Sequence, residues 1–173
     1  MRLPIWMVLS IVAGTALALG EADPFDGTWR LDMSQSHYES GDPPREMTIT
    51  IATDGARVHY RSHAVERDGR NSDCEYQADY DGIPVTVTGN SGLMLPVALR
   101  RFGPRIVDAT YMRAFRVVAS TRREIDQTGA VMTITTQSKD ALGRAITNIG
   151  VYHRDRSEPC LPCWPCADAL CER

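Results

Sequence analysis

Turn signals cut the chain about every dozen residues from Gly27 to Arg154: Thr53-Asp54-Gly55, Arg67-Asp68-Gly69, Tyr80-Asp81-Gly82, Gly89-Asn90-Ser91-Gly92, Phe102-Gly103-Pro104, Gln127-Thr128-Gly129 and Ala141-Leu142-Gly143. Spacing of this kind is what hairpins produce. Between the signals apolar and polar residues alternate with period two. Met47, Ile49 and Ile51 stand against Thr48 and Thr50; Cys74, Tyr76, Ala78 and Tyr80 against Asp73, Glu75, Gln77 and Asp79; Val85 and Val87 against Thr86 and Thr88. Alternation gives each strand one apolar and one polar face. It predicts an all-β domain of about eight to ten strands, at 27–33, 46–53, 56–65, 73–80, 84–89, 94–101, 105–112, 114–124, 130–138 and 144–154. No mature segment has a helical period, although the tail after Pro165 has room for one turn. Hairpin connections throughout favour an up-and-down antiparallel barrel, which removes exposed edges, over a two-sheet sandwich.

The first residues, MRLPIWMVLSIVAGTALALGEA, carry one positive charge at Arg2, then an apolar run, then small residues before the first acid, Glu21. That order predicts a secretory signal peptide over residues 1–20, with cleavage after Ala18, Gly20 or Ala22, and an exported, periplasmic or secreted product. A retained anchor is the weaker reading, because the core from Leu3 to Leu19 contains Pro4 and falls short of the ~20 residues a spanning helix needs. No stable membrane insertion is expected after cleavage. No cysteine follows the run, which argues against lipid modification there.

Residues 21–156 are long enough for one core and hardly for two. Loss of Arg2 moves the net charge from −3 to −4, and the basic residues are scattered among acids, so nucleic acid is not an expected partner. Of 19 basic residues only Lys139 is a lysine, from which nothing is drawn.

The segment Asp26-Gly27-Thr28-Trp29-Arg30-Leu31-Asp32 is similar to the G-x-W opening strand of lipocalins and fatty-acid-binding proteins, and Gly150-Val151-Tyr152-His153-Arg154 to their closing strand. The order of this opening, Tyr80-Asp81-Gly82, Pro84 to Gly89, Val131 to Thr135 and Val151-Tyr152 resembles exported bacterial lipocalin-like proteins of unassigned function, over about residues 25–156. The resemblance implies a calycin-type barrel in which Trp29 closes one end, with Arg154 the first candidate for a cation–π contact across its indole. Two departures matter. Met33 to Pro44 is too short for the helix-turn-helix lid of fatty-acid-binding proteins, and Gly150 stands where their closing strand usually carries a carboxylate-gripping arginine. The resemblance therefore transfers a fold and leaves the ligand open.

Six residues are the candidate binding set for a small, partly apolar molecule. Trp29 is first a plug, and Tyr60, Tyr76, Phe115, Met132 and Tyr152 lie among apolar residues of different strands and are expected to face a common interior. The same residues would fill a solid scaffold barrel, which is the alternative. Arg57, His59, Arg61 and His63 alternate along one strand; His59 and His63 are about 13 Å apart along it, too far to share a metal, so the stripe is read as a solvated face opposite Asp73, Glu75, Gln77 and Asp79.

No catalytic signature is present, there being no H-E-x-x-H, no phosphate loop and no G-x-S-x-G, and a non-enzyme without a cofactor is expected. The tail, 157–173, packs Cys160, Cys163, Cys166 and Cys171 into twelve residues. Its C-x₂-C-x₂-C-x₄-C spacing misses the ferredoxin run by one residue and lacks the loop between pairs of a structural zinc site. The C-x-x-C pairs also lack the α/β fold in which redox dithiols work. Structural disulfides are the simplest reading, with metal binding or a tether to a protein partner as alternatives. Five cysteines is an odd number, so at least one is left over from intrachain pairing.

Overall fold

The computed structural model describes residues 22–90 and 94–156, so the predicted signal peptide and the cysteine tail lie outside the described residues. Ten antiparallel strands form one sheet: β1 Gly27–Tyr38, β2 Glu46–Asp54, β3 Arg57–Val65, β4 Asn71–Asp79, β5 Thr88–Gly89, β6 Val97–Gly103, β7 Ile106–Arg113, β8 Arg116–Ile125, β9 Val131–Lys139 and β10 Ala145–Arg154. Their order is β5-β4-β3-β2-β1-β10-β9-β8-β7-β6. First and last strands thus pair in the middle, Trp29 opposite Arg154 and Leu31 opposite Tyr152. The sheet curls on itself, and its two edges approach through the segment after β4, where Asp81 bridges Arg100 and Val85 bridges Val97. The expected strand at 84–89 is reduced to these bridges and the two residues of β5, since Pro84 has no amide to donate and the chain is crossing from one edge to the other.

Several turns use one device. The amide of Gly129 donates to the Asp126 carbonyl and that of Gly143 to the Asp140 carbonyl, each glycine at positive φ. The aspartate side chain closes the turn, Asp126 accepting from the amides of Ala130 at 2.9 Å and Val131 at 3.0 Å. These contacts hold the Asp126 carboxyl down at about 2, the Thr128 hydroxyl bond being the largest cause.

Inward positions follow the alternation: Ile49 and Ile51 on β2, Val58 and Tyr60 on β3, Tyr76 and Ala78 on β4, Val97 and Leu99 on β6, and Val107 and Ala109 on β7 are buried in one cluster. The polar stripe of β3 faces out and pairs across to β4, Arg57 with Asp79, Arg61 with Glu75 and His63 with Asp73. Such exposed pairs contribute about 0–1 kcal/mol each. β1 runs beyond the expected residue 33 to Tyr38, with an irregularity between Asp32 and His37. No helix forms among the described residues, and the loop after β1 leaves that end of the barrel without a helical cover.

Candidate functional site

One end of the barrel is sealed. Trp29 and Phe25 are buried, and the indole Nε1 donates to the Phe25 carbonyl at 2.9 Å. The Arg154 guanidinium lies over the Trp29 ring, as the resemblance implied, 4.2 Å from its centroid. Its Nε donates to the Gly129 carbonyl at 2.7 Å, Nη2 to that of Pro24 at 2.6 Å, and Nη1 to that of Asp26. Arg154 thus stitches the segment before β1 to the β8–β9 turn. Gly27 permits the approach, since a Cβ there would sit 2.7 Å from Arg154 Nη1. Beside the plug, Arg101 Nη2 donates to both carboxylate oxygens of Asp23, at 2.6 and 2.8 Å, while its guanidinium covers the Tyr80 ring at 4.4 Å. An open cleft of about 900 Å³ runs outside this seal, past Pro24, Thr53, Arg101, Phe102 and Ile106. Arg101 and Asp23 pair with each other in this cleft, although Arg101 Nε has no hydrogen-bond partner, and the pair fastens the N-terminal segment.

The interior above the plug is different. Tyr60 and Tyr76, opposite each other on β3 and β4, stack with ring centroids 4.7 Å apart. Arg123 of β8 reaches in from across the barrel, its guanidinium 4.6 Å from the Tyr60 centroid and its Nη2 donating to the Tyr76 hydroxyl at 2.8 Å. Arg123 is only 3% exposed, and its Nε has no hydrogen-bond partner. Among the described residues no carboxylate pairs with it. Burial is the largest influence on this guanidinium and works against its charge, but a guanidinium is not deprotonated in proteins, so Arg123 is cationic. Burial conversely pushes Tyr60 and Tyr76 up, keeping both phenols neutral. A second orphan lies two residues away on the same face, the buried Oγ of Thr121.

Met132 and Tyr152 complete the interior, facing each other across β9 and β10. The Tyr152 hydroxyl donates to Met47 Sδ at 3.3 Å. Its ring also explains the glycine before it, because a Cβ at Gly150 would sit 2.8 Å from the Tyr152 ring. A side chain at 150 would displace that ring. Small residues, Ser62 and Ala64 on β3 and Ala119 and Thr121 on β8, line the interior from the tyrosine–arginine layer towards the end away from Trp29.

Five of the six candidate binding residues therefore point inward, and the expectation for Phe115 is corrected. The β7–β8 connection is a tight turn at Ala114 and Phe115, both at positive φ, 48° and 64°, and Phe115 is 100% exposed. It projects from the rim. Sequence reasoning missed Arg123, which reads as one of a charged run, Arg122-Arg123-Glu124. The signal was its phase: Ala119, Thr121, Arg123 and Ile125 are the inward positions of one strand, and all four are buried. No group of three or more metal-ligating side chains and no disulfide occurs among the described residues, and Cys160, Cys163, Cys166 and Cys171 lie outside them.

A curled, helix-free antiparallel sheet, plugged at one end by tryptophan under arginine, is a barrel of the lipocalin and fatty-acid-binding-protein type. A solved structure of this type, zebrafish ileal bile acid-binding protein complexed with cholic acid, matches over 76% of this chain and 99% of its own, with a TM-score of 0.51 at 11% identity. The M. tuberculosis protein Rv2717c matches over 77% of this chain and 94% of its own, with a TM-score of 0.48 at 13% identity. No protein-family model matches the sequence. No curated protein matches it either.

Proposed function

We propose that this chain is an exported lipocalin-like binding protein, of the kind met among bacterial proteins of unassigned function, whose barrel takes a small, partly apolar molecule carrying an acidic group. The observation that carries this reading is Arg123. A guanidinium taken out of water loses several kcal/mol of solvation, and a fold recovers that only through good pairing. Here Arg123 has one phenol and one aromatic face, with Nε left over. A ligand carboxylate entering over Ser62, Ala64, Ala119 and Thr121 would meet Arg123 Nε and Thr121 Oγ together, while its apolar body lay against Met132 and the tyrosine rings. The bile acid in the zebrafish protein is a ligand of that chemistry, and a binding rather than catalytic role fits the same fold.

The test is calorimetric titration of the protein with cholate, a medium-chain fatty acid and the alcohol matched to that acid. Charge-assisted hydrogen bonds contribute about 1.5–3 kcal/mol, so the acid should bind about tenfold or more tighter than the alcohol. Arg123→Met should remove the difference without changing the β-type circular dichroism spectrum. Equal affinity for acid and alcohol, or no binding of any of the three, would sink the reading and leave the filled scaffold.

A further inference from the structure

The β7–β8 tip is unlike the other turns of this barrel. All six residues from Arg113 to Val118 are exposed, Phe115 completely, and no acid occurs between Tyr111 and Ser120. Tight hairpin turns with positive φ at both central positions favour Asn-Gly, because a Cβ is strained there. This chain instead holds alanine and phenylalanine in that conformation and points the largest side chain of the turn into solvent. The register shift between Tyr111 and Met112, which pairs Met112 with Val117 and Tyr111 with Ala119, adds a residue to β8 and brings Val117 and Val118 out beside the ring. Behind them an open cleft of about 640 Å³ has Val117, Val118 and Ile146 along its apolar part and Arg113 and Lys139 at its edge. Leu142, at the neighbouring β9–β10 turn, is also exposed.

Between Tyr111 and Ser120 the only charged side chains are Arg113 and Arg116, with Lys139 beside the cleft, and the acids of this corner are already engaged, Asp140 by Arg144 and Glu39 by the Thr147 amide. Among the described residues Arg113, Arg116 and Lys139 form no ion pair, whereas nearby Arg144 is taken by Asp140 at 2.6 Å. An apolar tip ringed by unpaired cations fits an interface that is itself apolar beneath an anionic surface. We propose that this hairpin docks the barrel on an anionic lipid bilayer, with Phe115 entering the boundary between headgroups and acyl chains and Arg113, Arg116 and Lys139 meeting lipid phosphates. A protein partner fits less well. Specific interfaces bury about 800 Å² per partner, and a narrow hairpin tip with one fully protruding ring offers less, whereas a bilayer needs no matching pocket. The assignment is independent of whether the barrel holds a ligand.

The experiment reports from the tip itself. In the full chain carrying Phe115→Trp, the fluorescence added over wild type is followed with phosphatidylcholine vesicles and with vesicles containing phosphatidylglycerol, each with and without brominated acyl chains. The added emission should move to the blue and be quenched by brominated lipid in the anionic vesicles only, and 1 M salt should reverse both. Each basic residue near an anionic surface is worth about 1 kcal/mol, roughly fivefold, so Arg113→Ser with Arg116→Ser should weaken tip insertion about thirtyfold. Quenching that is equal in neutral vesicles, or absent in both, overturns the proposal. A shift that follows protein concentration without vesicles overturns it in favour of a second copy of the chain.

Discussion

Arg154 lies across the Trp29 indole, 4.2 Å from its centroid, while its nitrogens hold carbonyl oxygens on both sides of the barrel end. The opening and closing strands are thereby locked where they meet, Trp29 being the register partner of Arg154. Trp29→Ala should cost about 3–5 kcal/mol in urea unfolding, as truncation of a buried large aromatic does. Arg154→Met should cost about 1–3 kcal/mol by leaving the carbonyls unpaired. Arg154→Lys should rescue little, because an ammonium cannot cover the ring and fork to three acceptors together. A midpoint unmoved by Trp29→Ala would show that the tryptophan is no plug.

Arg123 should behave in the opposite way. Replacing a buried charge by an apolar side chain of similar volume is often neutral or stabilising by about 1–4 kcal/mol. Arg123→Met should therefore keep or raise the unfolding midpoint while abolishing preference for an acid. A large loss of stability would mean that the guanidinium serves the fold, through Tyr76 and Tyr60, rather than a ligand.

Asp126 gives the fold a pH dependence of defined sign. Its folded pKa is depressed to about 2 from 3.8, so its stabilisation is present above the unfolded value and is lost as pH falls through the folded one. Thermal midpoints should fall between about pH 4 and pH 2. Asp32 is lowered to about 2 chiefly by its bond to Ser34, and contributes with the same sign in the same window. Asp126→Asn should flatten the profile over that range; an unchanged slope would show that other carboxylates set it.

Ala114→Asn with Phe115→Gly should stabilise the protein, because the pair then suits the two positive φ values that the turn imposes. Left-handed non-glycine residues cost roughly 1 kcal/mol or more each, so a gain of about 1–2 kcal/mol is expected by chemical denaturation. The same double variant should lose anionic-vesicle binding. Stabilisation without loss of binding would separate the strain from the lipid contact.

The strands and their faces were legible along the chain because period-two alternation is local. The pairing of Arg57, Arg61 and His63 with Asp79, Glu75 and Asp73 could likewise be anticipated from two adjacent strands joined by a short turn. Trp29 and Arg154 were found through likeness to a known opening and closing strand. Two features were decided only by the tertiary structure. The turn at Ala114-Phe115 contains no glycine or asparagine to announce it, and the irregular pairing between Tyr111 and Met112 shifts β8 by one residue, so a phenylalanine that reads as part of a strand ends outside. Arg123 follows the inward phase of its strand while carrying the residue type most at home in water. Whether phase or polarity prevails depends on what waits across the barrel, and Tyr60 and Tyr76, far away in the chain, meet the guanidinium only once the sheet has curled on itself.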